Sequence, residues 1–146
     1  MSGEPGPKPG DRGPVVLVSN RQEDPVDTEA LASVAADVLT GEGRGDVELS
    51  LSFVSEDEIA DLHVRYMDEA GPTDVLSFPL DEDGLLGDVV VCPVVAARNN
   101  PADPSGELRL LVAHGVLHLL GHDHEDEAER AQMWAMQERY SGVRSP

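Results

Sequence analysis

Four of the chain's five histidines fall within eleven residues, His114-Gly-Val-Leu-His118-Leu-Leu-Gly121-His122-Asp123-His124. His114 and His118 are four apart, a spacing that on a helix brings two side chains to one face with Cβ atoms about 5–6 Å apart. Two imidazoles so placed are a two-pronged ligand for one cation. A lone pair of this kind reads equally well as two core histidines bonded to backbone. On a helix that is otherwise apolar, with two more imidazoles alongside, unpartnered burial costs too much for that reading. A third ligand requires the chain to turn. In a continued helix His114 and His122 would lie about 12 Å apart along the axis, too far for one metal whose bonds to nitrogen are about 2.0–2.1 Å. Gly121 supplies the turn, as the residue best suited to a left-handed helix cap. After it, His122 or His124 folds back toward the pair.

The spacing His-x3-His-x2-Gly-x2-His resembles that of the metzincin zinc proteases, and it selects His124 as third ligand. The protease motif carries Glu directly after its first histidine as general base, whereas this chain has Gly115. The cage is kept and the base is gone, which argues against a peptidase. Three histidines leave the fourth zinc position open for water, the layout of a catalytic site, and water on zinc ionises near pH 7. The expectation is one zinc per chain on His114, His118 and His124. Asp123, between two histidines, fits equally a carboxylate that orients a ligand and a turn residue ahead of the last helix. Glu125, Asp126, Glu127 and Glu129 need no catalytic role, since negative charge at a helix start is favoured by its dipole.

Composition narrows the partners. The 146 residues suit one domain, and a 40% hydrophobic content is enough for one packed core. Ten basic residues against 29 acidic ones give a formal charge of −19, which argues against a free-standing electrostatic nucleic-acid binder. No apolar run approaches the roughly 20 residues of a membrane helix, and the opening MSGEPGPKPGDRGP lacks the apolar centre of a secretory signal. The single cysteine, Cys92, excludes a disulfide framework and a Cys-rich zinc site. It points to the cytoplasm and reads as a small buried hydrophobe.

The elements that must position these residues follow from periodicity. Residues 1–14 read as a disordered leader, and 15–146 as a single domain. Val15–Val18 is a short strand, and Thr28 to Thr40 a helix with one apolar face. Val47–Val54 alternates as a half-buried strand. Ser55 with Glu58 is a capping box, starting a helix from Glu56 to Tyr66 or Met67. Val75–Phe78 and Val89–Cys92 are strands, Pro93 to Arg98 a short helix or turn. Glu107–Leu120 is a helix apolar nearly all round, hence buried, and Asp126 to Tyr140 a last amphipathic one. Strands followed by a buried helix and a covering helix indicate an α+β architecture. His63 reads as a helix-surface residue without neighbours of interest. Asp88, opening a buried strand, needs a partner.

HGVLHLLGHDH (114–124) resembles the signature of the YbeY-type rRNA maturation endoribonucleases, His-Gly-x-x-His-Leu-x-Gly-Tyr-Asp-His, which binds zinc. GPTDVLSFPLDE (71–82) is similar to the family's segment before its central strands, and LLGDVVVC (85–92) to the next. The resemblance covers roughly Val15 to Arg139. It implies a zinc-dependent, single-strand-specific endoribonuclease acting in small-subunit rRNA 3′-end maturation and ribosome quality control. It also implies one zincin-like α+β domain, with a mixed sheet of about four strands and a buried metal-bearing helix. The implied partners are single-stranded rRNA and the small ribosomal subunit with its assembly proteins, with no membrane. By the same resemblance Thr73, Asp74 and Ser77 line the substrate cleft, although Thr73-Asp74 is also ordinary turn chemistry.

Two positions depart from the family pattern. His122 stands where the family usually has Tyr, and Met67 where many members have a functional Arg. Arg65 cannot replace that cation from a helix, because two residues turn the side chain by about 200°. Arg98 and Arg109 remain, and Arg109, on the metal-bearing helix, is assigned to the cleft. Two other functions fit the histidines alone: a non-catalytic, zinc-stabilised ribosome assembly factor, and a small-substrate zinc hydrolase.

Overall fold

Leu49, Leu51 and Phe53 alternate along one face of strand β2 (Glu48–Val54), and all three are fully buried. The opposite face is half-buried at Ser50 but closed at Ser52 and Val54, so β2 is an interior strand. It pairs in parallel with β1 (Val15–Arg21) on one side and with β4 (Leu85–Val91) on the other. β3 (Val75–Glu82) runs antiparallel to β4 as an outer strand, giving the order β1-β2-β4-β3. The computed structural model describes residues 13–68, 71, 73–82, 84–122 and 126–143. Apart from Gly13 and Pro14, the expected leader lies outside them.

The helices are α1 (Thr28–Gly41), α2 (Glu56–Met67), α3 (Pro93–Asn99), α4 (Pro104–Leu119) and α5 (Glu127–Ser141). The result is a mixed four-strand sheet in an α+β fold, as the sequence led us to expect. One face of the sheet packs on α1 and α4 through Leu31, Val34, Val38, Val112, Val116 and their neighbours. The other carries a smaller cluster of Val54, Ile59, Leu76, Val90, Cys92 and Val95, which includes α2 and α3 residues. α5 lies on the outside of α4.

Several boundaries differ from the sequence reading for physical reasons. α4 begins three residues earlier, because Asp103 Oδ1 accepts the Gly106 N–H at 3.0 Å and Pro104 occupies a first-turn position that needs no N–H. β4 begins before its valine run because ladder hydrogen bonds continue past the apolar residues, pairing Gly87 with Pro79 and Asp88 with Phe78. The register of that pair slips between Pro79 and Glu82.

α4 and the sheet approach each other more closely than side chains normally permit. A Cβ on Gly115 would fall 2.6 Å from Val89 Cγ1 and 3.3 Å from Ser77 Oγ. On the strand side, a Cβ on Gly87 would fall 2.5 Å from the Phe78 carbonyl and 3.0 Å from Leu119. Gly115 is therefore a spacing requirement between two histidines, beyond the loss of a protease base. None of the described helices is long and apolar enough to cross a membrane.

Candidate metal centre

α4 stops through a doubly bonded cap. Gly121 has φ 99°, its N–H donates to the His118 carbonyl at 3.0 Å, and the His122 N–H donates to the Leu117 carbonyl at 3.1 Å. This is the Schellman pattern, in which glycine adopts the left-handed conformation without a Cβ penalty. The chain turns where the ligand geometry requires it.

Upstream of the cap, the His114 and His118 rings lie 6.2 Å apart between centroids and 7° from parallel. His114 Nδ1 faces Gln137 Oε1 of α5 at 2.7 Å. Gln137 is only 6% exposed. An amide oxygen accepts, so Nδ1 carries the proton and Nε2 is the ligating nitrogen of this tautomer. Both imidazoles open onto a cavity of about 330 Å³, walled otherwise by β3 and by His63 and Met67 of α2. Two nitrogen donors on one helix face, one oriented from behind by a buried amide, suit a borderline cation such as zinc. Asp123 and His124 lie outside the described residues, and among the described residues no group of three or more His, Cys, Asp or Glu is gathered.

His122 is directed elsewhere. Its Nε2 lies 3.2 Å from Glu42 Oε1 at the end of α1, and the Tyr140 hydroxyl donates to Glu42 Oε2 at 2.6 Å. Burial and this carboxylate raise the Tyr140 pKa above its ordinary value.

The cleft residues separate into two groups. Thr73 and Ser77 line the histidine cavity. Ser77 Oγ also donates to the Gly115 carbonyl at 3.2 Å, fastening β3 to the α4 backbone between the two histidines. Asp74 faces α3 instead. Its carboxylate accepts from Asn99 Nδ2 at 3.2 Å, and its carbonyl accepts from the Cys92 N–H at 3.0 Å.

Arg109 must be reassigned. Five residues along the helix place it about 140° round from His114. Its Nε donates to the Ser141 carbonyl at 3.2 Å, and it borders a different hollow, with Pro25, Val26 and Leu108. Arg65 pairs with Asp61 at 3.4 Å and Arg98 with Glu56 at 2.9 Å. Among the described residues no arginine or lysine lines the cavity, and Met67 occupies the wall.

His63 was missed. It is half-buried, and its Nδ1–H donates to the Gly71 carbonyl at 2.9 Å. It lies four residues before Met67, so the same helical-face rule places both on one wall.

A family model described as Endoribonuclease YbeY matches residues 17–142. The chain belongs to the Endoribonuclease YbeY family. A Thermobifida fusca protein of that name is 45% identical over 137 residues, covering 82% of this chain and 87% of its own. One from Streptomyces coelicolor is 41% identical over 138 residues, covering 82% and 84%. The solution structure of a Thermotoga maritima protein superposes with a TM-score of 0.65 at 33% identity, over 87% of each chain. Of the two residues singled out against the family pattern, Met67 lies in the cavity wall and His122 lies beyond the cap, bonded to Glu42.

Proposed function

We propose that this endoribonuclease holds one zinc ion through His114, His118 and His124 and cuts single-stranded rRNA. Its place of work is small-subunit 3′-end maturation and ribosome quality control, in the cytoplasm. The observation that carries the reading is the pair of parallel imidazoles on α4, with Gln137 behind His114 and an open cavity in front. Zinc in this position would supply Lewis acidity toward a phosphoryl oxygen and a nucleophile from water at neutral pH.

The chain's own residues do the positioning. Gln137 holds the His114 tautomer, the Gly121 cap turns the chain back after His118, and Ser77 fixes the cavity wall to the helix between the ligands. Among the described residues the walls contribute no arginine or lysine, and a formal charge of −19 opposes long-range attraction of RNA. Substrate therefore has to be presented, which supports the small ribosomal subunit and its assembly proteins as partners. A cavity open on one side favours catalysis over a purely structural metal.

The test is cleavage of an end-labelled single-stranded RNA by the metal-loaded enzyme, by its chelated form and by His114→Ala. Cleavage by the first alone is expected. Equal cleavage by the chelated form would remove the metal from the reading, and full zinc content in His124→Ala would remove the third ligand.

A further inference from the structure

A second hollow, of about 160 Å³, opens beside the metal centre and is walled by His114 of α4 and by Arg130, Met133, Trp134 and Gln137 of α5. His114 is thus a wall common to this hollow and to the histidine cavity. Arg130, Trp134 and Gln137 recur at helical spacing, so they form one stripe along α5. Its inner end, Gln137, is bonded to His114 at 2.7 Å. Met133 beneath is 2% exposed, while Trp134, the only tryptophan in the chain, is 46% exposed. A large indole left half in water at the mouth of a small hollow, on a largely polar helix, is surface that a flat apolar ligand would cover.

We propose that this hollow is a subsite for one unpaired nucleobase of the RNA, stacked on the Trp134 indole. The proposal rests on the endoribonuclease reading above and adds the means by which the strand is held. Three observations favour a single base. The hollow is smaller than the roughly 300–1,000 Å³ of sites that take a whole drug-sized ligand. Its wall carries an indole, and stacking needs no base identity because every base has a π face. It also adjoins the histidine cavity, with which it shares His114 as a wall. Single-strand preference then follows physically, because a base in a duplex must first leave its partner and its stack to reach the indole.

The test is tryptophan fluorescence of the full, metal-loaded chain, read by stopped flow so that binding precedes cleavage. The probes are a short oligoadenylate, the same strand annealed to oligouridylate, and an abasic ribose-phosphate oligomer of equal length. Trp134 is the sole source of signal. Saturable quenching by the single strand is expected, with little by the duplex or the abasic oligomer. In steady-state cleavage, Trp134→Ala should raise KM by about tenfold or more, the loss of one stacked base. The change should fall on KM more than on kcat, and Trp134→Phe should recover most of it at unchanged zinc content. Equal quenching by the abasic oligomer, or an unchanged KM in Trp134→Ala, would overturn the subsite. Cleavage without base-dependent quenching would sink the subsite and leave the nuclease standing. Base-dependent quenching without cleavage by any preparation would do the reverse.

Discussion

Gln137 sets the tautomer of His114 from another helix, and with it the nitrogen that the proposed zinc would meet. Gln137→Leu removes the acceptor and leaves the ring to choose its tautomer. Zinc affinity should fall about 10–100-fold, the usual consequence of losing a partner behind a ligating histidine, read by competition with a chromophoric chelator. An unchanged affinity would mean that the 2.7 Å contact is only packing. Met67 poses the opposite case, a wall position that lacks a cation. Met67→Arg should raise the single-turnover cleavage rate without altering zinc content. The gain has a ceiling of about 10²–10³, the worth of one fully preorganised electrostatic contact. No gain at all would show that a cation at this position has nothing to act on. At this scale the sequence was legible wherever helical spacing was applied consistently. It excluded Arg65 correctly. The same rule run back from Met67 reaches His63, and applied to Arg109 it turns that residue away from the histidines. Gln137 carried no local signal, because its partner lies 23 residues away in sequence on a helix whose docking the sequence does not state.

At the scale of elements, α4 is held by contacts that tolerate no extra atom. Alanine in a helix interior ordinarily gains about 0.5–1 kcal/mol over glycine. At Gly115 the added methyl would meet Val89, which is fully buried and cannot give way. Gly115→Ala is therefore expected to cost about 1–3 kcal/mol, the range for overpacked cores, measured by urea unfolding. A stabilised variant would show that the helix can lift from the sheet. The existence and order of the helices and strands followed from apolar periodicity and from the Ser55–Glu58 cap, whose Oγ accepts the Glu58 N–H at 3.2 Å. The ends did not follow, because strands run on as far as ladder hydrogen bonds continue, and α4 starts at an Asp-Pro cap that lies outside its apolar stripe.

At the scale of the whole molecule, the acidic excess includes a carboxylate set into the sheet. Asp88 is partly buried beside Ser52, whose hydroxyl approaches Oδ1 at 3.5 Å. Desolvation raises its pKa despite the attraction of Arg21. A carboxyl whose folded pKa lies above its unfolded value stabilises the fold when protonated, and that contribution is lost as pH rises from about 3.8 through the raised value. Asp88→Asn stays neutral throughout. The variant should be more stable than the parent at neutral pH, with the difference closing as pH falls through the raised value toward 3.8, read from thermal melts across pH. A difference that grows toward acid would mean that Arg21 outweighs burial.

β3 borders the histidine cavity and is also an outer strand of the sheet. A strand in that place cannot be sheathed by a helix without closing the way in, so its outward backbone stays available to any extended chain that arrives. Pro79 interrupts that row, having no N–H to offer, and the register slip beside it bends the strand further from a flat template. Like charge on every copy adds a repulsion that salt removes, since the screening length shrinks to about 3 Å at 1 M. Pro79→Val should accordingly leave the fold intact yet bring on light scattering in concentrated, high-salt solution, where the parent stays clear. If both stay clear, some other feature protects the edge. The shelf life of a concentrated stock thus depends on one imino acid beside a mouth that has to stay open.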